Sequence, residues 1–530
     1  MKARYCAVAV CVLFSFCLSM SAQVAVPTYQ SDNYRSGANT HEINLTPSNV
    51  NAAQFGRLAV FNVQGFVYAQ PLYVPNVNIG GVLHDVVYVV TEHDQVYAFD
   101  VNSRRQLWTR NLLIPTAPLT QVTPVSSSDV HCDDLVPEIG ITGTPVIDVQ
   151  NNQMFLVART KEHNAARHTT HFVQTLYALD LRTGQLRNPP RRISGRVPGS
   201  GEGSQGGYLT FDPLLEGQRA SLLLSNRQVF VGWASSCDNG AYHGWLMSFD
   251  EIGLLPSGVF VDTPNGREGG YWGSGSGPAA DSSGSIYLAT GNGSFDSQAD
   301  YGDTILRLMW SSSGIALNDY FTPSDQLTLD YNDTDLGSGG VTLLPDMPGS
   351  PFPHLLIQAG KEGTVDLVNR DNMGHFHPGN DDQIVQTLPF IIGPVYGAPA
   401  FWNNTAYFGG QYDRLKAFAF NPQTQLLSAG PISQSPEVFT SPAPVPAVSS
   451  NGTSNGIVWA VDTQAYNNGG GPAVLRAYDA SNLASELYNS QQNPSRDSAG
   501  YAVKFTVPTI ADGHVFVAAQ NQIAMYGSLQ

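Results

Sequence analysis

The chain has 530 residues, of which 42% are hydrophobic and 13% are charged, with 52 glycines and 34 prolines. Charged residues are about half as frequent as the roughly 25% of an average globular domain, and glycine plus proline stay below the range of disordered chains. The composition excludes collagen-like, coiled-coil and low-complexity proteins. A formal net charge of −17 argues against nucleic acid as a partner, because an acidic chain repels phosphate backbones.

The N-terminus has the pattern of a secretory signal peptide. Lys2 and Arg4 precede a short apolar run, Val8 to Leu18, and small residues follow up to Ala22. This pattern predicts a signal peptide over residues 1–22 and a mature protein that is periplasmic or secreted. The apolar run is too short to span a bilayer as a helix and no later run is longer, so we expect no transmembrane segment.

A short strand pattern, with two or three apolar residues and often an aromatic one, recurs after Gly, Asn or Asp turns. The distance from Tyr88 in the first copy to Phe516 in the last gives a mean spacing of about 61 residues, a long internal period of the kind found in propellers and repeat arrays. The eight copies are Val86–Val89, Gln153–Leu156, Gln228–Val231, Ser285–Leu288, His354–Ile357, Thr405–Phe408, Ile457–Ala460 and His514–Val517.

The repeats predict antiparallel strands, because apolar residues alternate with period two and no stretch has a sustained helical period. A meander of about four strands cannot bury both of its faces alone, whereas copies stacked radially can. The sequence therefore predicts an all-β fold, an eight-bladed antiparallel β-propeller that forms one domain over residues 23–530. The segment Leu58–Phe61 resembles the outermost strand at Leu107-Trp108, which the last repeat lacks, so we expect it to complete the last blade.

The repeats carry a signature of Gly-x-Val-Tyr-x-x-Thr, then Leu-Tyr-Ala-x-Asp, then Thr-Gly-x-x-x-Trp. This signature resembles the pyrroloquinoline quinone (PQQ) repeat family over essentially the whole mature chain. The family includes eight-bladed quinoprotein alcohol dehydrogenases and also non-catalytic propellers. In the dehydrogenases the quinone lies near the propeller axis, stacked on a Trp, with Ca²⁺ or a lanthanide held by Glu, Asn and Asp.

Trp272 and Asn292 resemble the stacking Trp and the metal-ligand Asn of the dehydrogenases, in the same order and with nearly the same spacing. An indole offers a flat apolar face to a tricyclic quinone, and an amide oxygen is a suitable ligand for Ca²⁺. The other interpretation is that Trp272 is a core aromatic residue and that Gly291-Asn292-Gly293 is a tight turn, where Asn and Gly are favoured.

The acidic loop around Asp335 resembles the family's catalytic segment, because it precedes a hydrophobic strand at Gly340–Leu344. The resemblance favours Asp335 as catalytic residue and metal ligand, with Asp333 as the alternative. A metal beside such a carboxylate keeps it ionised, so that it can accept the alcohol proton. Lys361 falls where the family places a cation beside the quinone oxygens. The other interpretation for both is a solvated loop.

Three positions depart from the family. Its vicinal Cys pair appears here as His131-Cys132, which leaves Cys132 as the cofactor-side cysteine, and its Arg is replaced by Glu138. Where the family has a metal-binding Glu, this chain has Asp238-Asn239, and we expect Asn239 or Asp238 to be the third metal ligand. These departures weaken the expectation of a working dehydrogenase.

Cys132 and Cys237 are the two cysteines that remain after the signal peptide. They lie in consecutive repeats, near loops that the resemblance places at the axis, and an oxidising compartment allows them to pair. Two buried free thiols are the equal alternative.

The resemblance implies an exported quinoprotein, a PQQ-dependent and Ca²⁺- or lanthanide-dependent dehydrogenase that oxidises a small alcohol or sugar and passes electrons to a separate acceptor. The alternative is a non-catalytic propeller that serves as a binding or assembly platform for protein partners in the cell envelope.

Overall fold

The computed structural model describes residues 24–529, except residues 116, 274, 468 and 469. The predicted signal peptide lies outside the described residues. Within them, regular structure is nearly all β-strand, and the α-helices are Gln326–Tyr331 and Pro494–Asp497. Single 3₁₀ turns cover Leu336–Ser338, Gln464–Tyr466 and Ser490–Gln492. None of the helices in this part of the chain is long and apolar enough to cross a membrane.

The described strands form eight sheets of three or more strands, which we number in chain order, and one two-stranded sheet, Arg196–Pro198 with Tyr208–Thr210. Sheet 1 contains Leu72–Ile79, Val82–Val90, Gln95–Asp100 and Arg105–Asn111; sheet 2 contains Val146–Asp148, Gln153–Asn164, Thr169–Asp180 and Arg191–Arg192, extended by Thr120–Ser126 and Glu138–Ile139. Sheet 3 contains Leu223–Ser225, Gln228–Gly232, Trp245–Asp250 and Pro256–Val261; sheet 4 contains Ala279–Ala280, Ser285–Ala289, Ile305–Ser311, Gly314–Thr322 and His375–Phe376.

The second half of the chain repeats the arrangement. Sheet 5 contains Thr342–Leu343, Leu355–Ala359, Val365–Asn369 and Gln386–Leu388; sheet 6 contains Ala400–Trp402, Thr405–Gly409, Leu415–Asn421, Leu426–Leu427 and Ser433–Gln434. Sheet 7 contains Ala447–Asn451, Ser454–Asp462, Val474–Asp479 and Asn482–Asn489, with Ala38–Asn39 added; sheet 8 contains Thr509–Ala511, His514–Ser528 and Phe55–Phe66. Each of the eight sequence repeats coincides with a strand of a different sheet, although the fifth strand begins at Leu355, one residue later than predicted.

Strand pairing is antiparallel throughout the described sheets, apart from the parallel additions Ala38–Asn39 and His375–Phe376. Sheet 8 joins the two ends of the described chain, because Phe55–Phe66 pairs antiparallel with His514–Ser528. Phe55 is fully buried there against aromatic side chains of sheets 7 and 8. The strand Phe55–Phe66 is thus tied to the C-terminal strand by both hydrogen bonds and packing.

The core lies between the sheets. In the second strand of sheet 1, Val86 and Tyr88 pack in a cluster shared with sheet 2, whereas Val87 and Val89 pack in a cluster shared with sheet 8. Because both faces are covered, the strand is continuously apolar instead of alternating. The other seven sheets are also packed on both faces. Eight apolar clusters join each sheet to the next one in chain order and sheet 8 to sheet 1.

Residues 26–39 form a segment that runs past the first strands of successive sheets. Its hydrogen bonds join Val26 to Tyr73, Pro27 to Ile147, Asn33 to Ala280, Tyr34 to Leu343, Ser36 to Phe401, Gly37 to Val448 and Asn39 to Ile510. In its middle, the fully buried Arg35 donates to the carbonyl oxygens of Pro278 (2.9 Å), Tyr29 (2.9 Å) and Leu222 (3.1 Å). The segment therefore ties together sheets that are far apart in sequence.

Candidate functional site

The loop that carries Trp272 is fixed by a buried carboxylate. Asp262 accepts hydrogen bonds from the backbone N–H groups of Gly270 (2.8 Å) and Gly244 (2.9 Å). A Cβ atom at Gly269 would lie 2.6 Å from the Asp262 carboxylate, and this residue has a φ of +92°, so glycine is required. Burial raises the pKa of Asp262 to about 7, against the lowering effect of these donors. The indole of Trp272 is thereby held half-buried at the end of the loop.

Trp272, Asn292 and Asp335 meet around Gly291. The backbone N–H of Asn292 donates to Oδ1 of Asp335 at 2.9 Å. A Cβ atom on Gly291 would lie 2.5 Å from that same oxygen and 2.6 Å from Nε1 of Trp272, so only glycine lets the three residues approach. The structure therefore brings together the three residues that the sequence marked most strongly.

Two polar atoms at this point have no hydrogen-bond partner. They are Oδ1 of Asn292, whose side chain is 7% exposed, and Nε1 of Trp272. A buried polar atom without a partner costs roughly 1–3 kcal/mol. An unpaired amide oxygen beside a carboxylate provides oxygen ligands of the kind that bind a hard cation such as Ca²⁺.

Lys361 is part of the same cluster. Its Nζ lies 2.5 Å from Oδ2 of Asp335 and 2.9 Å from Oδ1 of Asp333. Burial alone would lower the pKa of Lys361, but Asp335 and Asp333 raise it above its ordinary value. Lys361 is therefore a fixed cation beside both Asp335, which the resemblance favours as the catalytic residue, and Asp333, the alternative. Of the two, Asp335 is buried and Asp333 is exposed.

Asp238 faces this cluster, whereas Asn239 faces away from it. The Tyr242 hydroxyl donates to Asp238 at 2.6 Å, and the Tyr242 ring packs edge-on against Trp272 with centroids 6.1 Å apart. Burial raises the pKa of Asp238, the Tyr242 hydrogen bond lowers it, and the charge of Asp335 raises it further. The Asn239 amide instead donates to the carbonyl oxygens of Val130 and His131, both at 3.1 Å.

Cys132 and Cys237 form a disulfide with a Cα–Cα distance of 5.7 Å, so of the two alternatives the paired one is present. Cys132 is 6% exposed and packs in a small apolar cluster with Val125, Val130 and Ile139. Its role beside a cofactor stays a prediction. The bond links the loop before Glu138 to the loop that contains Asp238.

Glu138, which replaces the family's Arg, is within hydrogen-bond distance of His93, with 2.9 Å between Oε1 and Nδ1. It does not contact the Asp335 cluster in any hydrogen bond or ion pair of the described residues. The family's cationic contact is therefore not reproduced at this position.

Two further charged groups were not identified from the sequence. An acidic cavity of about 130 Å³ next to Leu336 and Gly360 is lined by Asp366, whose pKa burial raises to about 8, and by Glu362. Near Gly273, the residue after Trp272, three charged residues form a compact cluster: Asp134, Arg219 and Lys504. Asp134 follows the Cys132 segment, whereas Arg219 and Lys504 come from loops without a recognisable motif, so no sequence signal marks the three as a group.

A group of three or more His, Cys, Asp or Glu side chains that could hold a metal ion is absent from the described residues. A metal at this site would therefore depend on a mixed set, in which the amide of Asn292 joins carboxylates. The free Oδ1 atom of Asn292 fits that requirement.

No protein-family model matches the chain, and no curated protein sequence matches it. Solved structures do match. A quinohemoprotein alcohol dehydrogenase from Comamonas testosteroni superposes with a TM-score of 0.60 and 13% identity, over 95% of this chain and 80% of the other. The chain has the propeller fold of the quinoprotein dehydrogenases. A europium-containing methanol dehydrogenase gives a TM-score of 0.60 and 12% identity, over 95% of this chain and 98% of the other.

A quinohemoprotein alcohol dehydrogenase from Pseudomonas putida matches to a similar degree, with a TM-score of 0.59 and 12% identity over 95% of this chain and 80% of the other. The resemblance inferred from the repeats is thus confirmed for the fold. At such low identity the likeness says nothing about chemistry, which has to be argued from the residues of this chain.

Proposed function

We propose that the eight sheets are the blades of one eight-bladed propeller that forms a single domain over residues 23–530. The support is the sequence of apolar clusters, which joins each sheet to the next and sheet 8 to sheet 1. Within this arrangement Phe55–Phe66 completes the last blade, because it pairs with the C-terminal strand. Closing the ring in this way leaves no blade with an uncovered apolar face.

The protein is proposed to be an exported PQQ- and metal-dependent dehydrogenase of small alcohols or sugars, located in the periplasm or secreted. One observation carries this proposal: the free, buried Oδ1 of Asn292 lies in a cluster with Asp335 and the half-buried indole of Trp272. A buried amide oxygen without a partner favours a bound ligand over a plain turn, because buried polar groups are as a rule hydrogen-bonded.

Each residue has a role in this proposal. Asn292, Asp335 and Asp238 would hold Ca²⁺ or a lanthanide, and Trp272 would provide the face on which PQQ stacks. PQQ, when bound, would supply a quinone able to take two electrons from the alcohol for transfer to a separate acceptor. Asp335 would accept the hydroxyl proton of the substrate, and the cation of Lys361, which pairs with Asp335, would stabilise negative charge beside it.

Reconstitution tests the proposal. We expect the chain from residue 23 onward to bind PQQ in the presence of Ca²⁺ or a lanthanide, to show the absorbance of a bound quinone and to reduce a dye with small alcohols. Asn292→Ala should abolish metal-dependent PQQ binding without unfolding the protein, because a loop ligand contributes little to blade packing. If no metal supports PQQ binding, the dehydrogenase proposal is wrong and a non-catalytic platform becomes the better description.

The adjacent pair Asp238 and Asn239 gives a matched control for the third ligand. Asp238→Asn should weaken metal binding, because it removes a charge close to Asp335. Asn239→Ala removes only contacts to the neighbouring loop and should leave metal affinity unchanged. The opposite result would assign the ligand role to Asn239.

A further inference from the structure

A cluster of two cations and one carboxylate lies beside the candidate site. Asp134 forms ion pairs with both Arg219 and Lys504. The cation side chains are 11% and 8% exposed, respectively. One carboxylate therefore pairs with two nearly buried cations. The buried Glu92 also interacts with Arg219 through its charge, but burial raises the pKa of Glu92 to about 7, so below this pH the cluster keeps an excess positive charge in an environment that solvates charge poorly.

The donors of this cluster are not all used. Nη2 of Arg219 is buried and has no hydrogen-bond partner. A guanidinium presents donors in a fork that matches two oxygens of a carboxylate, yet Asp134 engages Arg219 through Nη1 alone. The remaining donor is free for a second oxygen ligand.

Phe505 and Tyr466 hold the cations in place. The Phe505 ring lies 4.8 Å from Cζ of Arg219 and 5.6 Å from Nζ of Lys504, while Tyr466 lies 5.5 Å from the same Nζ. Phe505 adopts a φ of +59°, an uncommon and unfavourable conformation for a bulky residue. The backbone is thus strained where the ring supports both cations.

The cations also face toward the Trp272 loop. A narrow cavity is lined by Arg219, Lys504 and Phe505 on one side and by Gly273, the residue after Trp272, on the other. An anion between the cations would therefore lie against the backbone of the Trp272 loop, on whose indole we place a planar ligand.

We propose that Arg219 and Lys504 bind a carboxylate of a planar anionic ligand, and that Asp134 occupies the position of that carboxylate until the ligand displaces it. The anion site rests on the contacts above, whereas its assignment to PQQ, a planar tricarboxylic acid, rests on the proposed function. These two cations would take the place of the positive charge that Glu138 does not supply.

The test compares PQQ with its trimethyl ester, which keeps the rings and lacks the carboxylates. Binding to the chain from residue 23 onward is measured by calorimetry in the presence of a chelator, so that metal does not contribute. We expect PQQ to bind at least about tenfold more tightly than the ester, since a charge-assisted pair is worth roughly 1.5–3 kcal/mol and 1.4 kcal/mol is tenfold. Arg219→Gln should remove this preference and leave the ester's affinity unchanged, and Lys504→Gln is the second variant should the first not fold.

The Asp134→Asn variant distinguishes an anion-binding site from an ion cluster that only stabilises the fold. If Asp134 competes with the ligand, the variant should bind PQQ roughly tenfold more tightly than the wild type. If the cluster only fastens the loop, the variant should lose thermal stability and bind PQQ no better, which would overturn the proposal. Asp382→Asn, at an exposed position, is the control for the change of net charge in Asp134→Asn, and Arg167→Gln, also exposed, is the control for that in Arg219→Gln.

A further measurement distinguishes failure of the anion site from failure of the proposed function. If neither PQQ nor its ester binds, the cofactor assignment is wrong, and benzene-1,3-dicarboxylate then probes the anion site alone. Binding of that compound to the wild type, lost in Arg219→Gln, supports the site. Absence of binding, or equal binding to both proteins, overturns it.

Discussion

Removal of the Cys132–Cys237 disulfide should destabilise the protein strongly. The two residues are 105 positions apart, and their bond joins loops of sheets 2 and 3. The chain-entropy relation for a closed loop of this length gives a stabilisation of about 4.7 kcal/mol at 25 °C. Serine is close to cysteine in size, so the double variant C132S/C237S loses the covalent link with little change in packed volume. We expect its free energy of unfolding to fall by roughly 3–5 kcal/mol.

Urea denaturation, followed by tryptophan fluorescence, measures this loss. Dithiothreitol should shift the wild-type midpoint to that of the double variant and should leave the variant itself unchanged, which controls for any other effect of the reductant. Thiol titration of the denatured, unreduced chain from residue 23 onward should find no free thiol. Two free thiols per chain, or a variant within about 1 kcal/mol of the wild type, would refute the reasoning.

Three other perturbations have defined outcomes. Trp272→Ala should weaken PQQ binding at least about tenfold in a titration but destabilise the protein by less than the roughly 3–5 kcal/mol of a fully buried aromatic residue, because the indole is half-buried. Arg35→Met leaves three carbonyl oxygens without a donor and should cost more than about 3 kcal/mol in urea unfolding; a loss under about 1 kcal/mol would contradict this. Burial and Arg219 lower the pKa of Lys504 to about 8, against the raising effect of Asp134. Metal-free PQQ affinity should therefore fall as the pH rises through about 8, and Lys504→Arg should abolish this step while leaving the fall near pH 7 that ionisation of the buried Glu92 beside Arg219 causes.

The blade strands could be predicted because they repeat a local pattern. Val86–Val89 and His514–Val517 carry the same apolar run and occupy equivalent strands in sheets 1 and 8. The alternation of neighbouring side chains between two interfaces, as for Val87 and Tyr88, follows from strand geometry alone. Local periodicity is therefore sufficient to find such strands.

The segment of residues 26–39 shows where local patterns fail. It contains no repeat and no continuous apolar run, and its contacts are backbone hydrogen bonds to first strands spread over the whole chain. Arg35, a charged residue, is fully buried because carbonyl oxygens surround it. Sequence hydrophobicity marks such a residue as exposed, and only the assembled sheets supply its acceptors.

Part of the candidate site could likewise be predicted from the sequence and part of it could not. Trp272, Asn292 and Asp335 lie within one continuous stretch of the chain, so a resemblance in order and spacing could locate them, and their contacts around Gly291 agree with it. Asp134 and Lys504 are 370 positions apart and meet only because their loops converge at the Trp272 loop. A carboxylate and a lysine in separate loops give no sequence signal of an anion site. A comparison of single sequence positions cannot detect a positive charge that a distant loop supplies. For this reason Glu138, at the position of the family's Arg, indicated that the cofactor-binding charge was lost.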